Sequence, residues 1–335
     1  MSEHKKPKVL LDPHFRRIAE VFSASDLERL EGMAEVLWGK DEPMPPAEAV
    51  EALREATAVI TTRWRYGENA LNEAKNLRAI IDVSGSWPKV DYMQCYARAI
   101  HVLSCAPSFG PVVAEMMLGM AIAACREIVI GDADFRNRRE KWLAEGNQTT
   151  FTLRAKPVGF IGFGGLAKSL LPLLAPFQCP VSVYHPSVSP SEIRRSGCQP
   201  VDLDSLLRTS RVIFVMVGPK PRYQQLLNRQ RLSLIQSNAV LVLASRSLVV
   251  DFDALTEFVL EGRFKAAIDV FPTRPLPADH PIREARGAIL SAHRAGSVAE
   301  ALLDIGRDAV DDLEAVFMGA SPHRLLQAKL ERIYN

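Results

Sequence analysis

Residues 156 to 186 constrain this chain more than any other stretch. Lys156-Pro157-Val158-Gly159-Phe160-Ile161 reads as a strand, and Gly162-Phe163-Gly164-Gly165-Leu166-Ala167 follows at its carboxyl end. The turn fits G-x-G-x-x-G/A. Gly162 makes the tight turn, Gly164 lets a pyrophosphate approach the backbone, and Ala167 is small enough for helix and strand to pack. The helix that begins here offers unpaired N–H groups and partial positive charge to phosphates. Pro172 inside it is expected to shorten or kink it. A lone glycine motif is weak; the strand before, the helix after and the βαβ setting distinguish this one from an ordinary turn. The second strand, Val181–Tyr184, ends at His185, about where an Asp or Glu would hold the adenosine ribose hydroxyls. No acid stands there. A 2′-phosphate meets no repulsion, and His185, Ser187 or Ser189 could donate to one; equally, His185 could simply line the adenosine pocket. NAD is the expected cofactor and NADP the alternative.

The rest of the chain supports a two-domain α/β protein. Its 335 residues suffice for two cores, and 47% hydrophobic with 24% charged residues is a soluble, globular composition. Short apolar runs alternate with helical stretches: strands at 8–11, 58–61, 79–83, 101–105, 157–162, 180–184, 211–217, 239–244, 266–270 and 288–291, helices at 47–56, 112–130, 166–174, 203–208, 230–234 and 253–260. Such alternation predicts parallel sheets with crossover helices. The pattern breaks at Pro107, Gly110 and Pro111 and again near His293–Gly296. The expected fold is two Rossmann/flavodoxin-like doubly wound domains, a dinucleotide-binding domain (106–295) inserted in a discontinuous substrate domain (1–105 plus 296–335). Residues 137–150 read as an exposed polar connection.

Other function classes find no support. With 41 basic and 39 acidic residues the net charge is +2, so neither nucleic acid nor membrane is expected as partner. The N-terminus lacks the apolar stretch of a signal peptide. The longest apolar run, Val112 to Cys125, contains Glu115 and is read as too short to span a bilayer. Five cysteines without a CxxC pair suit a reduced, cytoplasmic compartment, and no histidine spacing implies a metal.

Three further segments carry chemistry. Arg246 follows the apolar strand at 239–244, Asp269 ends the next strand, and His293 follows the one beyond. Their order and wording, with the glycine turn, the 79–91 segment containing Gly85 and the Pro111–Glu115 start of a long apolar helix, resemble the D-isomer-specific 2-hydroxyacid dehydrogenases. That family includes phosphoglycerate dehydrogenase and hydroxypyruvate reductase. The resemblance implies hydride transfer between NAD(P)H and a small 2-oxo or D-2-hydroxy acid. It implies that Arg246 grips the substrate carboxylate and polarises the carbonyl, and that His293 is the general acid/base. Ser84, Gly85 and Ser86 resemble the loop that receives the carboxylate. Trp87 either walls off a substrate side chain or packs at the domain edge. Asp269 resembles the residue that holds the nicotinamide carboxamide. Gly162, Gly164, Gly165, Leu166, His185, Pro186, Val217, Ala244 and Gly296 complete the implied cofactor contacts. The 112–130 helix is either the family's homodimer contact or a helix buried within one subunit.

One residue departs from the pattern. The family's third catalytic residue is a glutamate that raises the histidine's pKa, and Arg274 takes its place, between Pro272-Thr273 and Pro275-Leu276-Pro277. A guanidinium there disfavours the imidazolium. Three accounts are open. Arg274 swings away while another carboxylate, such as Glu115 or Asp279, serves His293. It binds a second anionic group of the substrate. Or the chain is a catalytically weak or inactive member acting as a nucleotide-binding regulatory protein.

Overall fold

The computed structural model describes residues 6–67, 69–218 and 220–330. They form two compact units, one from the chain up to Phe109 and from Ser297 onward, the other Gly110–Gly296.

The first unit holds β1 (Lys8–Asp12), α1 (Ile18–Val21), α2 (Ala24–Met33), β2 (Glu35–Trp38), α3 (Pro46–Glu55), β3 (Ala58–Thr61), α4 (Ala70–Glu73), β4 (Ala79–Asp82), α5 (Tyr92–Ala97) and β5 (His101–Ser104), joined by α13 (Ala299–Phe317) and β13 (Leu326–Gln327). Its sheet order is β13-β5-β4-β3-β1-β2, parallel except for β13. Order 2-1-3-4-5 is the flavodoxin-like doubly wound arrangement. β3 and β4 are buried along their whole length, as strands covered on both faces must be.

Two of the elements that escaped the sequence reading show why. β2 is a half-exposed edge strand whose Glu35 interrupts its short apolar run. α13 is 19 residues long; its charged residues mask a stripe, Leu302, Ile305, Ala309, Leu313 and Val316, that recurs at helical spacing and is buried in the core of this unit.

The second unit holds α6 (Gly110–Cys125), α7 (Ile128–Arg136), β6 (Val158–Ile161), α8 (Gly165–Leu174), β7 (Val181–Tyr184), α9 (Pro190–Arg195), β8 (Gln199–Pro200), α10 (Leu203–Thr209), β9 (Val212–Val215), α11 (Arg229–Leu232), β10 (Val240–Leu243), α12 (Phe252–Leu260), β11 (Lys265–Ile268) and β12 (Ala288–Leu290). The sheet, β12-β11-β10-β9-β6-β7-β8, is parallel throughout, so the direction of winding reverses beside β6. Ligands bind outside the carboxyl ends of strands at such a reversal. The doubly wound parallel fold expected from the sequence is present in both units.

Four local expectations change. The helix expected at 112–130 is broken: Glu127 is left-handed at φ 52°, held by Lys265 Nζ at 2.6 Å and the Thr149 hydroxyl at 2.6 Å, so α6 ends at Cys125 and α7 starts afresh. With the turn before it, 106–125 is long and apolar enough to cross a membrane, contrary to the sequence estimate; it packs against α8, β10 and β11 as a core helix does. α8 runs on through Pro172 to Leu174, because a proline in the last turn removes only the bond to the Lys168 carbonyl. The 137–150 connection is exposed, yet it displays Trp142 and Leu143, 67% and 85% accessible, among its polar residues.

Candidate active site

The glycine turn leaves β6 at the winding reversal. Gly162 has φ +109°, and a Cβ on it would meet the Met216 carbonyl carbon and Val217 nitrogen at 2.8 Å. Only glycine fits without moving the loop after β9. Gly164 and Gly165 have no atom within 4 Å of where their side chains would start, so open space lies above the N-terminus of α8. This is a cradle that a pyrophosphate can fill, and the residues present fit a dinucleotide.

The chemical residues gather at the carboxyl ends of β10, β11 and β12. Asp269, buried just past β11, accepts from Arg294 N (2.9 Å) on Oδ1 and from Ala295 N (3.2 Å) on Oδ2, while its carbonyl accepts from His293 N at 2.9 Å. It thereby folds the 291–296 turn and holds His293 in a left-handed conformation, φ 55°. Each carboxylate oxygen keeps a further lone pair, so this duty is compatible with a contact to a nicotinamide carboxamide. Arg246 is half-buried and donates to the Ser245 carbonyl at 2.9 Å. Burial and the charge of Arg274 hold its guanidinium below its ordinary pKa.

His293 is shifted the same way. Burial lowers its pKa most, Arg274 lowers it further, Asp269 opposes and Arg246 adds to the depression. Asp269 is the one carboxylate whose charge bears on it, ahead of Glu115 and Asp279. Arg274 is exposed and makes no hydrogen bond or ion pair among the described residues. His293 Nδ1 is buried without a partner.

Buried orphaned polar atoms mark the site independently. Among the described residues they are Ser245 Oγ, Ser291 Oγ and His293 Nδ1 at this sheet edge, and Arg16 Nε and Asp82 Oδ2 in the first unit. Such atoms are costly unless something meets them, a ligand included. Sequence reasoning passed over Ser245 and Ser291, although each lies within two residues of a named catalytic candidate.

The loop at Ser84–Ser86 belongs to the first unit and is folded around Asp82. Oδ1 of this buried carboxylate accepts from Ser84 N (2.8 Å), Ser84 Oγ (2.6 Å) and Ser86 N (3.2 Å). Burial pushes the carboxyl pKa up against the pull of these donors. Two loop amides are thus engaged by Asp82. Gly85 has φ +79° and lies directly against the Phe109 ring, whose face also carries the Arg16 guanidinium at 5.9 Å. Trp87 is half-buried beside the loop.

A dinucleotide cradle with an arginine and a histidine beyond strands β10 and β12 of one sheet fits a nucleotide-dependent oxidoreductase of the α/β class. Residues 118–295 match the family model described as "D-isomer specific 2-hydroxyacid dehydrogenase, NAD binding domain". The glyoxylate reductase of Thermofilum pendens is 26% identical over 94% of this chain and 95% of its own length. The D-3-phosphoglycerate dehydrogenase of Mycobacterium bovis is 28% identical over 90% of this chain, which spans 56% of that longer protein. A phosphoglycerate oxidoreductase from Rhizobium etli superposes with a TM-score of 0.81 at 30% identity, covering 97% of this chain and 99% of that one. The chain belongs to the D-isomer specific 2-hydroxyacid dehydrogenase family. It is an NAD(P)-dependent oxidoreductase acting on CH–OH groups and the corresponding 2-oxo acids. The comparisons lend no support to the regulatory alternative.

Proposed function

We propose that this chain reduces a 2-oxo acid carrying a second anionic group, with Arg246 taking the carboxylate, Arg274 the second anion and His293 supplying the proton. The observation that carries this reading is the unpartnered Arg274 guanidinium, whose charge bears on both Arg246 and His293. Two adjacent cations and a disfavoured imidazolium leave the edge short of negative charge. An anion on Arg274 would screen it, let His293 hold its proton, and so do electrostatically what the family glutamate does.

The roles then follow. Arg246, fixed at the strand end, grips the carboxylate in a planar fork and draws charge toward the carbonyl oxygen. The bound nicotinamide supplies the hydride. His293, held by the Asp269-folded turn, gives its proton to the carbonyl oxygen as negative charge develops there. Ser245 and Ser291, beside Arg246 and His293 in the chain, hold buried hydroxyls without partners that a ligand could meet.

The test follows NADH and NADPH absorbance with glyoxylate, hydroxypyruvate, 2-oxo dicarboxylates and phosphorylated 2-oxo acids. Arg274→Ala is expected to raise KM for the doubly anionic acids by about 10- to 100-fold, the range of a lost charge-assisted hydrogen bond, and to leave glyoxylate within about threefold. An equal change for both classes would overturn the second-anion reading.

We further propose a homodimer joined through the α6–α7 region, where Ile128, Val129 and Phe135 are exposed together with Trp142 and Leu143. Sedimentation of a monomer at micromolar concentration would defeat it. Unpaired cysteines suit a cytoplasmic setting, and neither nucleic acid nor membrane is expected as partner.

A further inference from the structure

β7 and β9 pair with β6 on its two sides, so the loops that follow them flank the glycine turn. After β7, His185 Nδ1 accepts from the amides of Ser187 (3.1 Å) and Val188 (2.9 Å), which fixes the bend and leaves Nδ1 unprotonated. Ser189 is also committed: its Oγ caps α9 by accepting from Glu192 N at 3.2 Å and pairs with Ser191 Oγ at 3.0 Å. Two of the three residues that the sequence offered to a 2′-phosphate are thus largely occupied in shaping the loop.

Ser187 is different. Its hydroxyl accepts from Arg222 Nη2 at 2.9 Å, a residue of the loop after β9 that reaches across the end of β6. Arg222 also lies over the Tyr223 ring at 5.1 Å, and no carboxylate pairs with it among the described residues. Glu192, the acid whose charge is felt at His185, is engaged by Lys168 Nζ at 3.3 Å. Burial first, then the charges of Arg222 and Lys220, hold the His185 imidazole below its ordinary pKa, so both cations lie near this corner.

We propose that Arg222 and Ser187, with Lys220 beside them, form a receiving site for a phosphate monoester on the 2′-oxygen of the adenosine ribose, making NADP(H) the preferred cofactor. This rests on the dinucleotide reading of the glycine turn. An acid at the end of β7 would accept from the ribose 2′-hydroxyl and repel a phosphate. Here a hydroxyl and a guanidinium occupy that corner, and the guanidinium fork suits a phosphate dianion. The Arg222–Ser187 hydrogen bond holds the cation in place before any ligand arrives, which reduces the ordering cost of binding.

Calorimetry on the full chain separates this site from the rest of the cofactor cleft without any turnover. Adenosine 2′,5′-bisphosphate is expected to bind at least about tenfold more tightly than 5′-AMP, the worth of one charge-assisted hydrogen bond. Arg222→Ala should remove most of that preference while 5′-AMP stays within about twofold, and Ser187→Asp should reverse it. Equal affinities in the unaltered chain, or a loss for both ligands alike in Arg222→Ala, would overturn the phosphate site alone. If neither ligand nor NADH binds, the nucleotide reading falls and the proposal with it.

Discussion

The two ends of the nucleotide-unit sheet edge are built on opposite terms. Around β6 and β7 polar groups are used up inside the protein: His185 Nδ1 takes two amides and Ser189 caps a helix. Beyond β10 and β12, Ser245 Oγ, Ser291 Oγ and His293 Nδ1 are buried without partners, beside two guanidiniums that repel one another. The first end is preorganised for a ligand whose shape never varies. The second is left unsatisfied until an anionic substrate completes it. Binding and turnover are therefore separable properties of this chain, and each can be removed while the other is watched.

The largest effect is expected at the unsatisfied end. Replacing His293 with Gln removes the proton donor while keeping a polar side chain of similar reach, and kcat should fall by about 10²- to 10⁴-fold. NAD(P)H affinity, measured by fluorescence titration, should be unchanged. A variant that retained full kcat would show that the proton comes from elsewhere and would erase the contrast between the two ends.

At the preorganised end the expected loss is one of shape. Gly162→Ala puts a methyl group 2.8 Å from the Met216 and Val217 backbone in a conformation that L-residues rarely adopt. Strain of this kind costs about 1–3 kcal/mol, and the turn must shift to relieve it. Nucleotide affinity should weaken with a lowered Tm. If Gly162→Ala bound NAD(P)H as before, the close approach of the turn to the loop after β9 would have no bearing on the cradle.

How much of this was legible in the sequence follows from the range of the interactions involved. The glycine turn, the continuous apolar strands and the Arg246, Asp269, His293 order are local patterns, and their places in the sheet follow from chain order alone. Arg222 bonds to Ser187 across 35 residues of sequence, and no local pattern links them. Asp82 is invisible as a loop anchor for a similar reason: its carboxylate reads as a strand end until the chain bends back and offers it the Ser84 and Ser86 amides. α13 was missed because charges dominate it, although its buried stripe keeps helical period. Glu127 breaks the 112–130 helix through Lys265, which is distant in sequence. At the site itself, what the linear text withheld was the partners.

The smallest and sharpest effect concerns pH. His293 has its pKa lowered by burial and by Arg274, so its protonated form is lost below the range of an ordinary histidine. Reduction uses the protonated imidazole; its rate with a singly charged acid such as glyoxylate should therefore fall as pH rises through that depressed value, and oxidation should gain over the same interval. Arg274→Glu exchanges a repelling cation for an attracting carboxylate, which must move the falling limb to higher pH. For a doubly anionic substrate the unaltered chain should already show the raised limb, because the substrate brings the negative charge itself. Coincident limbs for glyoxylate and a 2-oxo dicarboxylate, together with no movement in Arg274→Glu, would mean that Arg274 turns away from the histidine in solution. The substrate-completed edge would then lose its electrostatic basis, while the cradle at β6 would stand untouched.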